Sequence, residues 1–212
     1  MTRVYLIRHG ETEANQYNII QGWLDTTLSE RGRQQAEALS RRFANIEVNA
    51  VYSSDLSRAM DTAEGICRIK GLALNTDERL REIHMGTWSG CTWDALVQSD
   101  LERTELFREL SPEWRAPEGE SFEDVRTRVG NALKEIAKKH NGQAIVVVSH
   151  GAAIRHTLAM FKGLTIQETK GERLGANTSI SVLEFEGETL RIVFENDVSH
   201  LQDKNVPISI CP

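Results

Sequence analysis

The sequence predicts a three-layer α/β/α sandwich whose central sheet is mostly parallel and carries an antiparallel edge. Three observations lead there. Short apolar runs alternate with stretches of helical periodicity along most of the chain, the pattern of a sheet with helices on both faces. Residues 144–148 form an unbroken apolar run, as expected of a parallel strand covered on both sides. Near the C-terminus, residues 179–185 and 189–195 flank Glu186-Gly187-Glu188, which reads as a hairpin and supplies the antiparallel edge.

The elements follow in order. Residues 4–7 are a short apolar run ending at a polar cluster, hence a buried strand. Ser29 is placed to cap a helix reaching about Phe43, with Ala36, Leu39 and Phe43 on one face. Residues 49–53 make a second strand, and Leu56, Ala59, Met60, Ala63 and Ile66 then keep helical spacing. Residues 85–120 hold Trp88, Trp93, Phe107 and Trp114 and read as short helices in a long insertion. Ser121 caps a strong helix through Phe122, Val125, Val129, Leu133 and Ile136, and a last helix runs from about Ala152 to Phe161. No repeat or linker divides the 212 residues, so one domain is expected, with 85–120 as its specificity insertion.

Composition narrows the function classes. Hydrophobic residues make up 40% and charged residues 26%, which excludes disordered and membrane-embedded classes. Net charge is −6, so binding nucleic acid by a broad basic face is not expected. The excess is local: residues 100–124 hold nine acids and three arginines, and the remainder is neutral with 22 of each sign. Three cysteines (Cys67, Cys91, Cys211) without C-x-x-C spacing argue against a disulfide framework or zinc knuckle. The opening apolar run is too short for a signal peptide and no stretch is long enough for a membrane span, so a cytoplasmic location is expected.

Three polar clusters fall at the ends of expected strands: Arg8-His9-Gly10-Glu11-Thr12, Ser53-Ser54-Asp55-Leu56-Ser57-Arg58 and Ser149-His150-Gly151. In open α/β sheets ligands bind outside the carboxyl ends of the strands, so one site is implied. The chain lacks a P-loop, G-x-G-x-x-G and H-E-x-x-H. Arg8 and Arg58 offer planar forks that match phosphate oxygens. Arg58 falls in the first turn of its helix, where a cation opposes the macrodipole, and this implies that an anion belongs there. His150 precedes a helix start, where free N–H groups favour an anion. Singly, each residue has a structural reading; together they favour an oxyanion pocket. His9 is a candidate nucleophile, one nitrogen attacking while the other donates its proton to a nearby acceptor, with Gly10 allowing a sharp turn and close approach. Glu82 is the candidate proton donor, and Glu11 and Glu13 compete for that role.

These residues resemble the signature of the histidine phosphatase superfamily, whose phosphoglycerate mutases and small phosphatases share one fold. The likeness runs through Leu6-Ile7-Arg8-His9-Gly10-Glu11-Thr12, Asn15, Gln21-Gly22-Trp23, Asp25, residues 28–32, 53–59 and 80–86, Glu118-Gly119-Glu120-Ser121 and Val148-Ser149-His150-Gly151. It implies a phosphoglycerate mutase-like fold and a phosphohistidine on His9. Arg8, Arg58 and His150 would hold the phosphate, and Glu82 would protonate the leaving oxygen and then activate water. Asn15, Gln21, Gly22 and Gly151 would line the phosphate or substrate pocket. No cofactor and no metal are implied.

Within that family, mutases usually carry a tyrosine where Met85 stands and an arginine pair in a longer insertion. Here Arg103, Arg108 and Arg115 are isolated among acids. An acidic lid facing the site would repel a bisphosphorylated cofactor. A phosphatase acting on a small phosphorylated metabolite is therefore favoured over the alternative, a cofactor-dependent phosphoglycerate mutase. The tryptophans of the insertion either form an apolar wall for the leaving group or only pack the insertion. A metal-dependent hydrolase using His9, Glu82, His84 and His150 is disfavoured by the two arginines, and a catalytically dead binding module by the filled catalytic positions. The terminal hairpin exposes an edge strand, which makes a homodimer a further option.

Overall fold

A computed structural model describes residues 1–187 and 189–201 of the chain; Cys211 and Glu188 of the expected hairpin turn lie outside them. The sheet contains β1 (Thr2–Arg8), β2 (Ala50–Ser53), β3 (Leu74–Thr76), β4 (Ala144–Ser149), β5 (Ile180–Glu186) and β6 (Thr189–Asp197). Their order is β3-β2-β4-β1-β5-β6. Strands β1 to β4 run parallel, β5 pairs antiparallel with β1, and β6 pairs antiparallel with β5. The mostly parallel sheet with an antiparallel edge is thus the architecture expected. Strand β3 was not foreseen: Leu74-Asn75-Thr76 lies on the sheet edge, largely exposed, and is too short to show a period.

The apolar run of β4 is explained by its two covered faces. Ile145 and Val147 join Val4, Leu6 and Leu183 under α6 (Phe122–Lys139) and α7 (Gly151–Phe161). Val146 and Val148 join Ile7, Ile180 and Val182 under α2 (Glu30–Phe43) and α3 (Ser57–Lys70). Because successive strand residues point to opposite faces, a strand between two helical layers has no polar alternation. Each fully buried aliphatic side chain stabilises the fold by roughly 1.5–3 kcal/mol.

Helix starts follow the serines. Ser29 Oγ accepts from the Gly32 N–H at 3.0 Å, and Ser121 forms a reciprocal capping box with Asp124. Helix α3 is different, since its N-cap, Leu56, has no side-chain acceptor. Asp25 reaches in from another loop and accepts from the Ser57 N–H and hydroxyl, both at 2.8 Å.

The segment 85–120 contains a 3-10 turn at Gly86–Trp88 and two short helices, α4 (Trp93–Ser99) and α5 (Leu101–Arg108). A further short helix, α1 (Glu13–Gln16), follows β1 and carries its own Thr12–Asn15 capping box. No helix among the described residues is long and apolar enough to cross a membrane.

Candidate active site

The carboxyl ends of β1, β2 and β4 bring His9, Arg58 and His150 together. Past the strand ends the ladder continues, with the His9 N–H donating to Ser149 O and the Ser54 N–H to Val148 O, both at 3.0 Å. The rings of His9 and His150 lie 5.2 Å apart. A cavity of about 470 Å³ opens beside them, lined by Arg8, His9, Arg58 and Glu82, and also by Asn15, Gln21 and Gly22, while His150 lies fully buried behind the lining.

His9 is almost wholly buried, and its Nδ1 lies 2.7 Å from the Gly10 carbonyl. That carbonyl can only accept, so Nδ1 carries the proton and Nε2 keeps its lone pair. Burial, reinforced by Arg58 and Arg8, holds the His9 pKa well below the ordinary histidine value. The ring is therefore neutral at physiological pH, as a nucleophile must be.

Arg58 is only 1% exposed. It donates from Nη1 to Leu24 O at 2.8 Å, from Nη2 to Gly22 O at 2.7 Å and from Nε to His150 Nδ1 at 3.2 Å. The last bond fixes the second histidine: with Nδ1 accepting, the His150 proton sits on Nε2. That donor is buried and has no partner among the described residues, which suits it to an anion. Burial above all, then Arg58 and His9, holds His150 neutral too. Arg58 is thus not a charge alone, as the sequence implied; it also ties down the 22–24 loop.

Both helix ends near the site are occupied by the protein's own carboxylates, contrary to expectation. The N-terminus of α7, after His150, receives Glu82: Oε2 accepts from the Ala152 N–H at 3.0 Å and Oε1 from that of Ala153 at 2.8 Å. The Ile83 N–H also donates to Oε1, at 2.9 Å. The N-terminus of α3, beside Arg58, receives Asp25. A negative group satisfies free amides and the dipole at such an end. The charge available to an external anion is therefore that of the arginines and not of the helix ends.

Arg8 donates from Nη1 to Gly175 O at 2.6 Å. Gly151 lies against it and is not among the cavity-lining residues: a Cβ there would come within 3.2 Å of Arg8 Nε. Its service to the site is room for the guanidinium. Gly22 has φ +50° and would bring a Cβ to 2.9 Å from that of Met85, so only glycine fits. Asn15 and Gln21 spend their carbonyl oxygens on Thr12, which leaves their amide N–H groups for the cavity. Glu11 is buried and accepts from Gln16 and Ser29, so it braces the loop, while Glu13 is an exposed first-turn acid of α1.

The four aromatic residues of the insertion divide between the two readings. Trp93 and Phe107 line the cavity, with rings 4.8 Å apart. Trp88 and Trp114 are buried behind them, and Trp114 stacks on Phe122 of α6 at 4.4 Å. The acidic stretch does not form a lid. None of its nine acids lines the cavity, and five are engaged locally, in the pairs Asp100–Arg103, Glu109–Lys170, Glu120–Arg128, Glu123–Arg126 and Asp124–Arg115. That stretch therefore does not screen the cavity against an anionic cofactor, contrary to expectation.

The family model described as histidine phosphatase superfamily (branch 1) matches residues 4–198. The chain belongs to the histidine phosphatase superfamily. It is 36% identical over 204 residues to the Arabidopsis thaliana phosphoglycerate mutase-like protein 4, covering 94% of this chain and 87% of that one. It is also 36% identical over 206 residues to the metal-independent phosphoserine phosphatase of the same plant, covering 95% and 84%. Among solved structures, Bacillus stearothermophilus YhfR superposes with a TM-score of 0.91 at 36% identity, covering 94% of this chain and 99% of that one.

Some residues that shape this histidine phosphatase site were not singled out from sequence. The Trp23 Nε1–H donates to Glu82 O at 2.7 Å, and its ring faces the Arg81 guanidinium at 4.7 Å. Arg128 of α6 donates to the carbonyls of Arg79, Arg81 and Glu82 and pairs with Glu120, fixing the strand of loop that presents Glu82. Asn177 Nδ2 donates to His9 O at 3.0 Å. Trp23 lay within the matched motif; Arg128 and Asn177 have no local signal, because their partners are distant in sequence.

Proposed function

We propose that this chain is a phosphatase that hydrolyses small phosphomonoesters through a phosphohistidine on His9. The observation that carries this is the fixed, neutral His9, whose Nε2 keeps its lone pair and which shares the cavity lining with Arg8 and Arg58. In the first step Nε2 attacks phosphorus, the P–O ester bond breaks, and the leaving oxygen takes a proton from Glu82. In the second, Glu82 takes a proton from water, the water oxygen attacks phosphorus, and the P–N bond returns its electron pair to His9. Arg8, Arg58 and the His150 Nε2–H balance the charge on the three equatorial oxygens, so positioning and electrostatics supply most of the catalysis. No metal takes part in this scheme. Asn15, Gln21 and Gly22 bind the phosphate or its ester, and residues 85–120 shape the pocket for the leaving group.

The experiment is to mix enzyme with a ³²P-labelled phosphomonoester, quench it, and look for label on protein. An acid-labile, base-stable phosphoenzyme that is absent in His9→Ala supports the reading. Full phosphatase activity in His9→Ala removes it. Turnover of phosphoglycerate stimulated by bisphosphoglycerate would instead favour a mutase.

A further inference from the structure

The cavity has two unlike halves. The inner half holds His9, Glu82 and the cations Arg8 and Arg58. The outer half is built around Ile20, Met85, Trp93 and Phe107, with the polar Tyr17, Asn18 and Thr92 and the acid Asp94 beside them. Among the described lining residues no lysine or further arginine is present, and the one charge in the outer half is the Asp94 carboxylate. Of the three arginines in the insertion, Arg103 and Arg115 are held by Asp100 and Asp124, and neither these nor Arg108 lines the cavity.

The aromatic part of the wall is packed from behind. Trp93 and Phe107 are backed by Trp88, at 6.0 and 6.3 Å, and Phe107 also by Trp114 at 4.9 Å. Asp94, exposed in the first turn of α4, makes no ion pair among the described residues. A helix-start carboxylate has a structural use, but here it also lines the cavity from an exposed position.

We propose that this outer half selects phosphomonoesters whose leaving group is an apolar or aromatic body without a second anionic group, and that Asp94 enforces the selection. The proposal rests on the phosphatase reading above. An ester seated with its phosphate on Arg8 and Arg58 would lay its body against Trp93 and Phe107. A carboxylate on that body would approach Asp94 with no lysine or arginine lining that half to offset it, whereas an ammonium would be attracted. Asp94 is thus a specificity-determining residue, acting on the distal group and not on the reacting atoms.

The test uses three arylalkyl phosphates identical except for the para substituent: carboxylate, carboxamide or aminomethyl. Wild type, Asp94→Asn and Asp94→Lys are compared by kcat/KM at low and high salt. The expected order in the wild type is aminomethyl, then carboxamide, then carboxylate, with about fivefold per step, the upper range for an exposed charge pair. Asp94→Asn should compress the series, Asp94→Lys should invert it, and salt should compress it in the wild type. A purely structural carboxylate would leave these ratios unmoved. Trp93→Ala should cost the carboxamide ester about tenfold relative to glycerol phosphate, through lost apolar contact. Equal carboxylate-to-carboxamide ratios in wild type and Asp94→Asn, or preference for the carboxylate, overturns the proposal while leaving the phosphatase standing. No hydrolysis of any ester, together with no phosphoenzyme, overturns both.

Discussion

Replacing Arg58 by methionine separates what this residue does for the phosphate from what it does for the fold. Burial of the guanidinium pushes its pKa down to about 10. At about 1.4 kcal/mol per pH unit, keeping it charged inside the folded protein costs roughly 3 kcal/mol. Because the folded value lies below the unfolded one, and neutral pH lies below both, that penalty is fully present at pH 7. Arg58→Met removes it. The same change strands Gly22 O, Leu24 O and His150 Nδ1, and each unsatisfied buried acceptor costs about 1–3 kcal/mol. The three losses together, about 3–9 kcal/mol, match or exceed the relieved penalty, so the ligand-free variant should melt at or below the wild-type temperature, by up to roughly 20 °C. Phosphate changes the comparison. At 100 times its dissociation constant it stabilises the wild type by about 2.7 kcal/mol, or roughly 5–10 °C. In Arg58→Met that increment should vanish, and kcat/KM should fall by about 10²–10³ through the lost charge-assisted contact. Thermal melts with and without phosphate, beside steady-state rates, read all three quantities. An undiminished phosphate increment in the variant would refute the reasoning, as would loss of activity wholly accounted for by loss of fold.

Other expectations follow from the same contacts. Glu82→Gln should slow esters with poor leaving groups by about 10²–10⁴ and nitrophenyl esters far less, since only the former need a proton; a uniform effect across leaving groups would contradict that role. Gly151→Ala should displace Arg8 by a few tenths of an ångström and lower kcat about tenfold with the fold intact; unchanged kinetics would show that Arg8 has slack. Stability should fall as the pH drops below about 6.5, because burial holds His156 neutral in the folded state, with a pKa of about 3. The unfolded chain then binds the extra proton, so at pH 5 His156 alone accounts for about 2 kcal/mol lost. Denaturant melts of His156→Phe should show a shallower acid slope; an identical slope would assign the effect to His9, His150 or His200.

Where the fold was readable, the cause was covered strands and capped helices. Residues 144–148 carried no polar position because both faces of β4 are covered, and Ser29 and Ser121 marked helix starts that use their hydroxyls. Strand β3 escaped because three largely exposed residues show no alternation. His9, Arg58 and Glu82 were found because they cluster in motifs. Their electrostatic setting was not readable: that Glu82 and Asp25 fill the helix ends depends on contacts 70 and 32 residues apart in sequence. The acidity of residues 100–124 misled for a related reason. Charge can be counted along a chain, but which way it faces is decided by partners such as Arg128 and Lys170.

The clasp between Glu82 and the first turn of α7 gives the enzyme a reporter of its own protonation. Two backbone amides, those of Ala152 and Ala153, donate to the two carboxyl oxygens of Glu82. A protonated carboxyl is a weaker acceptor, so each proton given or taken loosens or tightens those two amides. Their nuclear magnetic resonance shifts and exchange rates should then track the position of the proton during turnover, at backbone sites one hydrogen bond away from it.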